Sequence, residues 1–79
     1  ETRTLLRRDP AGAQTSFRVT LDERAIRVEL KEAPPGQPLG EARFQRLWFD
    51  TDAEARDAYF ARLEQLAGEG FVDTDAMSA

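Results

Sequence analysis

Apolar and polar residues alternate strictly in two neighbouring segments, residues 16–21 and 25–31. A period of two places successive side chains on opposite faces of a strand, so each segment predicts a β-strand with one apolar face. Only Asp22, Glu23 and Arg24 lie between the two segments. The strands are therefore predicted to form an antiparallel hairpin. The apolar positions on its buried face are Phe17, Val19, Leu21, Ile26, Val28 and Leu30.

Two further strands are predicted on either side of this hairpin. Residues 2–8 form a short segment that ends at Asp9-Pro10-Ala11-Gly12, where proline and glycine indicate a turn. Residues 32–40 contain three prolines and two glycines, which predict a loop. The following segment, residues 41–49, alternates again. Its predicted faces are Arg43, Gln45, Leu47 and Phe49 on one side, and Ala42, Phe44, Arg46 and Trp48 on the other.

The apolar spacing changes to three or four residues after the last predicted strand. Thr51 and Glu54 form a capping box, which predicts the start of a helix, and the acidic residues around them suit the helix dipole. An amphipathic helix is predicted over residues 52–67, ending at two glycines after which Phe71 folds back onto the last turn. The predicted apolar stripe consists of Ala55, Tyr59, Leu63 and Leu66, widened by Phe60 and Ala67.

These elements predict an α+β fold, in which a four-stranded antiparallel sheet carries one C-terminal helix packed on one face. Seventy-nine residues suffice for one hydrophobic core, so a single domain is predicted. We place this domain at residues 1–72 and expect residues 73–79 to form a disordered tail. Because the chain begins at Glu1 rather than at a methionine, we expect it to be part of a longer protein.

Composition restricts the chemistry of the chain. It contains no cysteine and no histidine, which excludes cysteine nucleophiles and histidine acid–base catalysis and argues against zinc sites. The acidic run at residues 50–54 lacks the glycine and the bidentate glutamate of a calcium loop, so we interpret it as the helix cap. No apolar run approaches the length of a membrane span. We therefore expect a cytoplasmic, non-enzymatic domain with no cofactor, no metal and no membrane partner.

The net charge of −4 is distributed unevenly along the chain. Residues 1–49 carry nine Arg and Lys against seven Asp and Glu, whereas residues 50–79 carry two against eight. The folded domain is therefore predicted to have a basic sheet and an acidic helix, an arrangement that can orient a charged partner. The negative total argues against a dedicated polyanion binder, whereas the basic sheet is compatible with weak nucleic-acid binding.

One face of the predicted sheet combines arginines with aromatic residues. The face opposite the helix is predicted to carry Arg18, Arg27, Phe44, Arg46 and Trp48. If the aromatic rings are exposed, such a surface suits base stacking or the docking of a protein hot spot. Alternatively, Phe44 and Trp48 pack under the first strand through Leu5 or Leu6 and form a second small core. From the sequence alone we favour this second interpretation, because tryptophan is usually highly buried.

A series of short motifs follows one another along nearly the whole chain. They are Leu5-Leu6-Arg7-Arg8, Ser16-Phe17, Phe49-Asp50-Thr51, Ala55, Tyr59, Leu63 and Phe71. This order resembles the WGR domain family, which occurs in poly(ADP-ribose) polymerases and in bacterial proteins similar to the molybdate metabolism regulator. The resemblance implies a WGR-like fold and a non-catalytic interaction module within a longer bacterial protein.

The chain departs from the family at its defining motif. Lys31-Glu32-Ala33 stands where the family carries Trp-Gly-Arg. In the polymerases the Trp and Arg of that motif contact DNA ends and relay the signal to neighbouring domains, and those roles cannot be transferred to this segment. Two hypotheses on function remain. The first is weak nucleic-acid binding through Arg18, Arg27, Lys31, Arg43 and Arg46. The second is docking of a protein, or of another domain of the parent protein, through Phe44 and Trp48.

Overall fold

The computed structural model describes residues 1–74, which form one antiparallel sheet of five strands and one helix. The predicted α+β class, with an antiparallel sheet and a helix near the C-terminus, is confirmed. The predicted hairpin is present, and its two strands extend past their predicted ends, because their pairing continues to Gln14 and Ala33. The elements are β1 (Thr2–Arg8), β2 (Gln14–Asp22), β3 (Ala25–Ala33), β4 (Arg43–Trp48), α1 (Asp52–Gly68) and β5 (Val72–Asp73).

The strands lie in the order β4-β3-β2-β1-β5. The predicted number of four strands is wrong, because the two-residue β5 pairs antiparallel with β1 and places Asp73 opposite Leu5. Thr74 continues this contact, and its hydroxyl donates a hydrogen bond to the Thr4 carbonyl at 3.0 Å. Asp73 and Thr74 therefore lie against the sheet rather than in the tail predicted over residues 73–79, of which residues 75–79 are outside the described part. Two residues are too few to show an alternating pattern in the sequence.

The hydrophobic core lies between α1 and the central strands of the sheet. α1 packs mainly on β2 and β3, as predicted. The helix contributes Tyr59 and Leu66 to the buried cluster, whereas Leu63 is only half-buried at its margin. The predicted widening of the stripe is wrong, because Phe60 is 48% exposed and Ala67 is exposed. The buried members of the cluster are Leu5, Val19, Ile26, Val28, Tyr59, Leu66 and Phe71.

Both ends of α1 are closed by hydrogen bonds. At the start, the Glu54 N–H donates to the Thr51 hydroxyl oxygen at 3.1 Å, so the predicted N-cap is confirmed. At the end, Gly70 adopts a φ of 93°, which a residue with a side chain rarely adopts. This turn lets the Phe71 N–H donate to the Leu66 carbonyl at 3.0 Å. Phe71 is thereby folded back into the core, as predicted.

Arg7 of β1 supplies the positive charge that the last turn of α1 lacks. Its guanidinium donates to the Glu69 carbonyl at 2.9 Å. The same group lies over the Phe71 ring, 4.6 Å from the ring centre. A cation at the C-terminal end of a helix interacts favourably with the helix dipole. This arginine therefore fastens the helix end to the sheet.

Tyr59 is a residue of α1, and its side chain is fully buried in the core. Within residues 1–74 its hydroxyl makes no hydrogen bond of good geometry, although the nearby Arg3 guanidinium favours the phenolate. Burial raises the pKa of the Tyr59 phenol above its ordinary value, and the negative charge of Glu1 raises it further. The neutral phenol is therefore the form that the fold stabilises.

Candidate binding face of the sheet

The face of the sheet opposite α1, here called the outer face, gathers most of the side chains proposed for binding. The pairing of β2, β3 and β4 sets Arg18 opposite Glu29, and Glu29 opposite Phe44. Two rows further along, Arg27 lies opposite Arg46. Directly opposite residues point to the same side of a sheet. The structure therefore brings the predicted arginines and aromatic residues of this face together on three adjacent strands.

The aromatic rings of β4 are exposed rather than packed in a second core. Phe44 is 64% exposed and Trp48 is 69% exposed. The favoured interpretation, in which they pack under the first strand, is wrong because β3 and β2 separate β4 from β1. Leu5 instead belongs to the core beneath α1. Strand order decides this outcome, and the local pattern of the sequence does not encode it.

Trp48 lies beside a shallow cleft at the β2–β3 turn. The Arg46 guanidinium is 5.8 Å from the centre of the Trp48 ring, within the range of a cation–π contact. Arg27 and the turn residues complete the lining of the cleft, which has a volume of about 340 Å³. The cleft therefore combines the Trp48 ring and the guanidinium groups of Arg27 and Arg46 with a tight turn that also brings the acidic residues Asp22 and Glu23. Planar groups of a partner can stack on this ring, and anionic groups fit only on the Arg27 and Arg46 side of the cleft.

The positive charge of the outer face is only partly neutralised. Lys31 forms an ion pair with Glu29, with 3.4 Å between Nζ and Oε1. Arg27 and Arg46 lie directly opposite one another, and within residues 1–74 neither forms an ion pair. Like charges placed opposite one another on adjacent strands are destabilising. An anion between the two guanidinium groups would therefore relieve their mutual repulsion. Arg27 and Arg46 therefore carry positive charge that no ion pair neutralises within residues 1–74, and Lys31 contributes less.

Arg43 does not belong to this face. It lies opposite Leu30, whose neighbours in the alternation point toward α1. Arg43 accordingly lines a different cleft, together with Phe17 and Arg62. The five basic residues predicted for nucleic-acid contact therefore do not form one surface: four lie on the outer face and Arg43 lies on the helix side.

A second uncovered surface, which the sequence reasoning missed, lies on the helix side of β4. The alternation of residues 41–49 suggests that Leu47 is covered by the helix, but Leu47 is 42% exposed. One helix is about 10 Å wide and strands are about 4.8 Å apart, so a single helix covers two strands well and leaves the edge strand open. The open surface is a cleft of about 390 Å³. Its lining residues are Ile26, Val28, Gln45, Leu47, Ala58, Ala61, Arg62 and Gln65.

Two other kinds of site are absent from the described residues. Within residues 1–74, no three or more acidic, histidine or cysteine side chains converge in a way that could hold a metal ion. No helix in the same range combines the length and the apolar character needed to cross a lipid bilayer. Comparison of the chain with protein-family models, with curated proteins and with solved structures gives no match.

Proposed function

We propose that this chain is a non-enzymatic, WGR-like interaction module whose outer face binds single-stranded nucleic acid weakly. The observation that supports the proposal most directly is the exposure of Phe44 and Trp48 beside Arg27 and Arg46. Exposed aromatic rings stack on bases, and neighbouring arginines contact phosphates. Cytoplasmic and bacterial origin belong to the same proposal, because they rest on the resemblance to the WGR family.

The geometry favours single strands over duplexes. Phe44 and Trp48 are four residues apart on one strand, which corresponds to about 13 Å along the sheet. Both rings project from an open surface, where they can stack on unpaired bases but cannot enter an intact base stack. Stacking on one aromatic ring contributes about 1–3 kcal/mol per base. The duplex would therefore bind only through its phosphates.

The affinity is expected to be low because the charges of the domain oppose one another. The excess of negative charge lies in the last 30 residues, which carry eight acidic residues against two arginines and include α1 on the other side of the sheet. The residues at the family's signature position, Lys31-Glu32-Ala33, do not reproduce Trp-Gly-Arg. We expect a dissociation constant of about 10⁻⁴ M or weaker at physiological salt, and we expect it to weaken steeply as salt is added.

An NMR titration of the labelled domain tests this proposal. A short oligothymidylate and a duplex of the same length are added separately, at low and at moderate salt. The backbone signals of Arg27 and Arg46 and the indole signal of Trp48 are expected to shift most, with the larger shifts caused by the single strand. Signals from exposed α1 residues should stay unchanged.

Two matched variants separate stacking from non-specific attraction. Trp48→Ala removes the exposed ring of the outer face, and Phe60→Ala removes an exposed ring of α1. We expect the first variant to lose most of the affinity for oligothymidylate and the second to keep it. Equal affinities for the two variants, or sub-micromolar and sequence-dependent binding of the wild type, would show that the proposed mode of binding is wrong.

Protein docking is the second candidate function, because apolar side chains of β4 are exposed on both faces of the sheet. Phe44 and Trp48 lie on the outer face, and Leu47 lies on the helix side. Clustered aromatic anchors beside arginine are typical of binding hot spots between proteins. If no signal of the outer face shifts with nucleic acid even at low salt, docking of a protein or of a neighbouring domain replaces the first candidate.

A further inference from the structure

The strand β4 forms a free edge of the sheet within the described residues. The Phe49 N–H donates to the Arg24 carbonyl at 2.8 Å, in continuation of the β3–β4 register. In an antiparallel ladder, residues that bond to the neighbouring strand alternate with residues whose N–H and C=O groups point away from it. Gln45 and Leu47 therefore bond to β3. The residues whose backbone groups point outward at the edge are Phe44, Arg46 and Trp48.

This edge is the longer of the two edges of the sheet. β4 has six residues, whereas β5 at the opposite edge has two. Edge strands are usually shortened, covered or charged, since their unpaired backbone groups invite another strand. β4 carries two arginines, but it also exposes Phe44, Leu47 and Trp48. An added strand would therefore find apolar contacts on both faces of the sheet as well as backbone partners.

The clefts on the helix side of this edge carry only positive charge. Two clefts on the helix side of β4 share Val28, Gln45 and Arg62, and together they are lined by Arg43 and Arg62 without any carboxylate. The Arg62 guanidinium donates to the Gln65 amide oxygen at 3.2 Å, whereas its Nε atom is buried and has no hydrogen-bond partner within residues 1–74. On the other side of the edge lies Arg46. A carboxylate on either face of an added strand would meet an arginine.

We propose that the β4 edge binds an extended acidic peptide segment of a partner protein, which adds to the sheet as a further strand. This proposal specifies the docking function named above. The partner's backbone bonds to Phe44, Arg46 and Trp48, and its alternate side chains contact the helix-side cleft and the aromatic rings. Its carboxylates pair with the arginines that flank β4. A second copy of the chain fits less well, because antiparallel pairing of two β4 strands centred on one another would set Arg46 of one copy directly opposite Arg46 of the other.

Hydrogen exchange with a model peptide tests the proposal on the intact chain. The probe is a blocked peptide in which valine alternates with glutamate, long enough to span β4. On its addition, the amides of Phe44, Arg46 and Trp48 are expected to become protected, whereas those of Gln45 and Leu47 are already protected and should change little. A peptide with lysine in place of glutamate should protect none of them. Protection of no edge amide by the glutamate peptide would overturn the proposal.

Two substitutions at one position separate this mode from nucleic-acid binding. Arg46→Ala removes the charge but keeps the edge N–H, whereas Arg46→Pro removes both, and proline is tolerated where an edge N–H faces solvent. We expect Arg46→Pro to bind the peptide about tenfold more weakly than Arg46→Ala, and both variants to lose the same affinity for oligothymidylate. A thermal melt checks that both variants are folded, and the exchange experiment above needs neither of them. Equal peptide affinities for the two variants would overturn the proposal. It would also be overturned if the edge amides became protected at higher protein concentration without peptide, because the occupant would then be a second copy of the chain.

Discussion

Removal of the Arg7 side chain is expected to loosen the C-terminal end of α1. The guanidinium makes three interactions there: a hydrogen bond to the Glu69 carbonyl, a cation–π contact with Phe71 and an attraction to the helix dipole. Exposed interactions of this kind contribute about 0.3–1 kcal/mol each. Arg7→Ala should therefore lower the free energy of unfolding by about 1–2 kcal/mol, which corresponds to a fall in Tm of at least about 4 °C for a domain of this size.

Arg8→Ala is the matched control for this prediction. Arg8 is the next residue of β1 and is also exposed, but its side chain makes no hydrogen bond or ion pair within residues 1–74. Urea unfolding followed by circular dichroism should show a lower midpoint for Arg7→Ala and an almost unchanged midpoint for Arg8→Ala. Arg7→Lys should fall between the two, because lysine keeps the charge but lacks the planar group. Equal midpoints for the two alanine variants would show that Arg7 does not fasten the helix end.

Three further predictions concern stability. Thr51→Ala removes the N-cap hydrogen bond and should lower the free energy of unfolding by about 1 kcal/mol in urea titrations. Alanine in place of an exposed residue that caps no helix should leave the free energy of unfolding unchanged. Leu66→Ala should lower the free energy of unfolding by about 2–5 kcal/mol, and Leu63→Ala should lower it clearly less, because Leu63 is only half-buried. A lower Tm for Leu63→Ala than for Leu66→Ala would contradict the described packing. Because the pKa of Tyr59 is raised in the folded state, its contribution is complete below the unfolded value of about 10 and is lost as pH rises through the folded pKa. Tyr59→Phe should reduce this alkaline loss of stability, and parallel profiles for both proteins would contradict it.

Local patterns in the sequence predicted the elements of the fold well. The period-two alternation identified β2 and β3 because one face of each strand is covered by α1. The capping box predicted the start of α1 because the Thr51 hydroxyl and the Glu54 N–H are neighbours along the chain. In such cases the partners are close in sequence, so the pattern itself carries the physical information.

Long-range arrangement could not be predicted in the same way. Phe44 and Trp48 were expected to be buried under the first strand, but two strands lie between β4 and β1. Leu47 follows the apolar alternation, yet α1 is too narrow to cover the edge strand. Phe60 looks like part of the apolar stripe, but the rotation of α1 on the sheet leaves it exposed. These outcomes depend on strand order and on helix position, which are properties of the whole fold.

The opposite charges of the two sides of the domain bear on how a partner approaches. The unneutralised arginines of the outer face attract anions, whereas the acidic residues of α1 repel them. Even a weak nucleic-acid complex would therefore form in one orientation, with the outer face toward the ligand. The same field would direct an acidic peptide toward β4.

Fluorescence of the chain's single tryptophan, Trp48, tests whether bases stack on the outer face, because this residue is both the proposed stacking platform and the reporter. Oligothymidylate is titrated into the domain at low salt, and the same titration is repeated with an Arg27→Ala variant. We expect saturable quenching for the wild type, weaker binding for the variant and loss of the quenching as salt is added. Unchanged fluorescence throughout the low-salt titration would contradict the proposal that bases stack on the outer face.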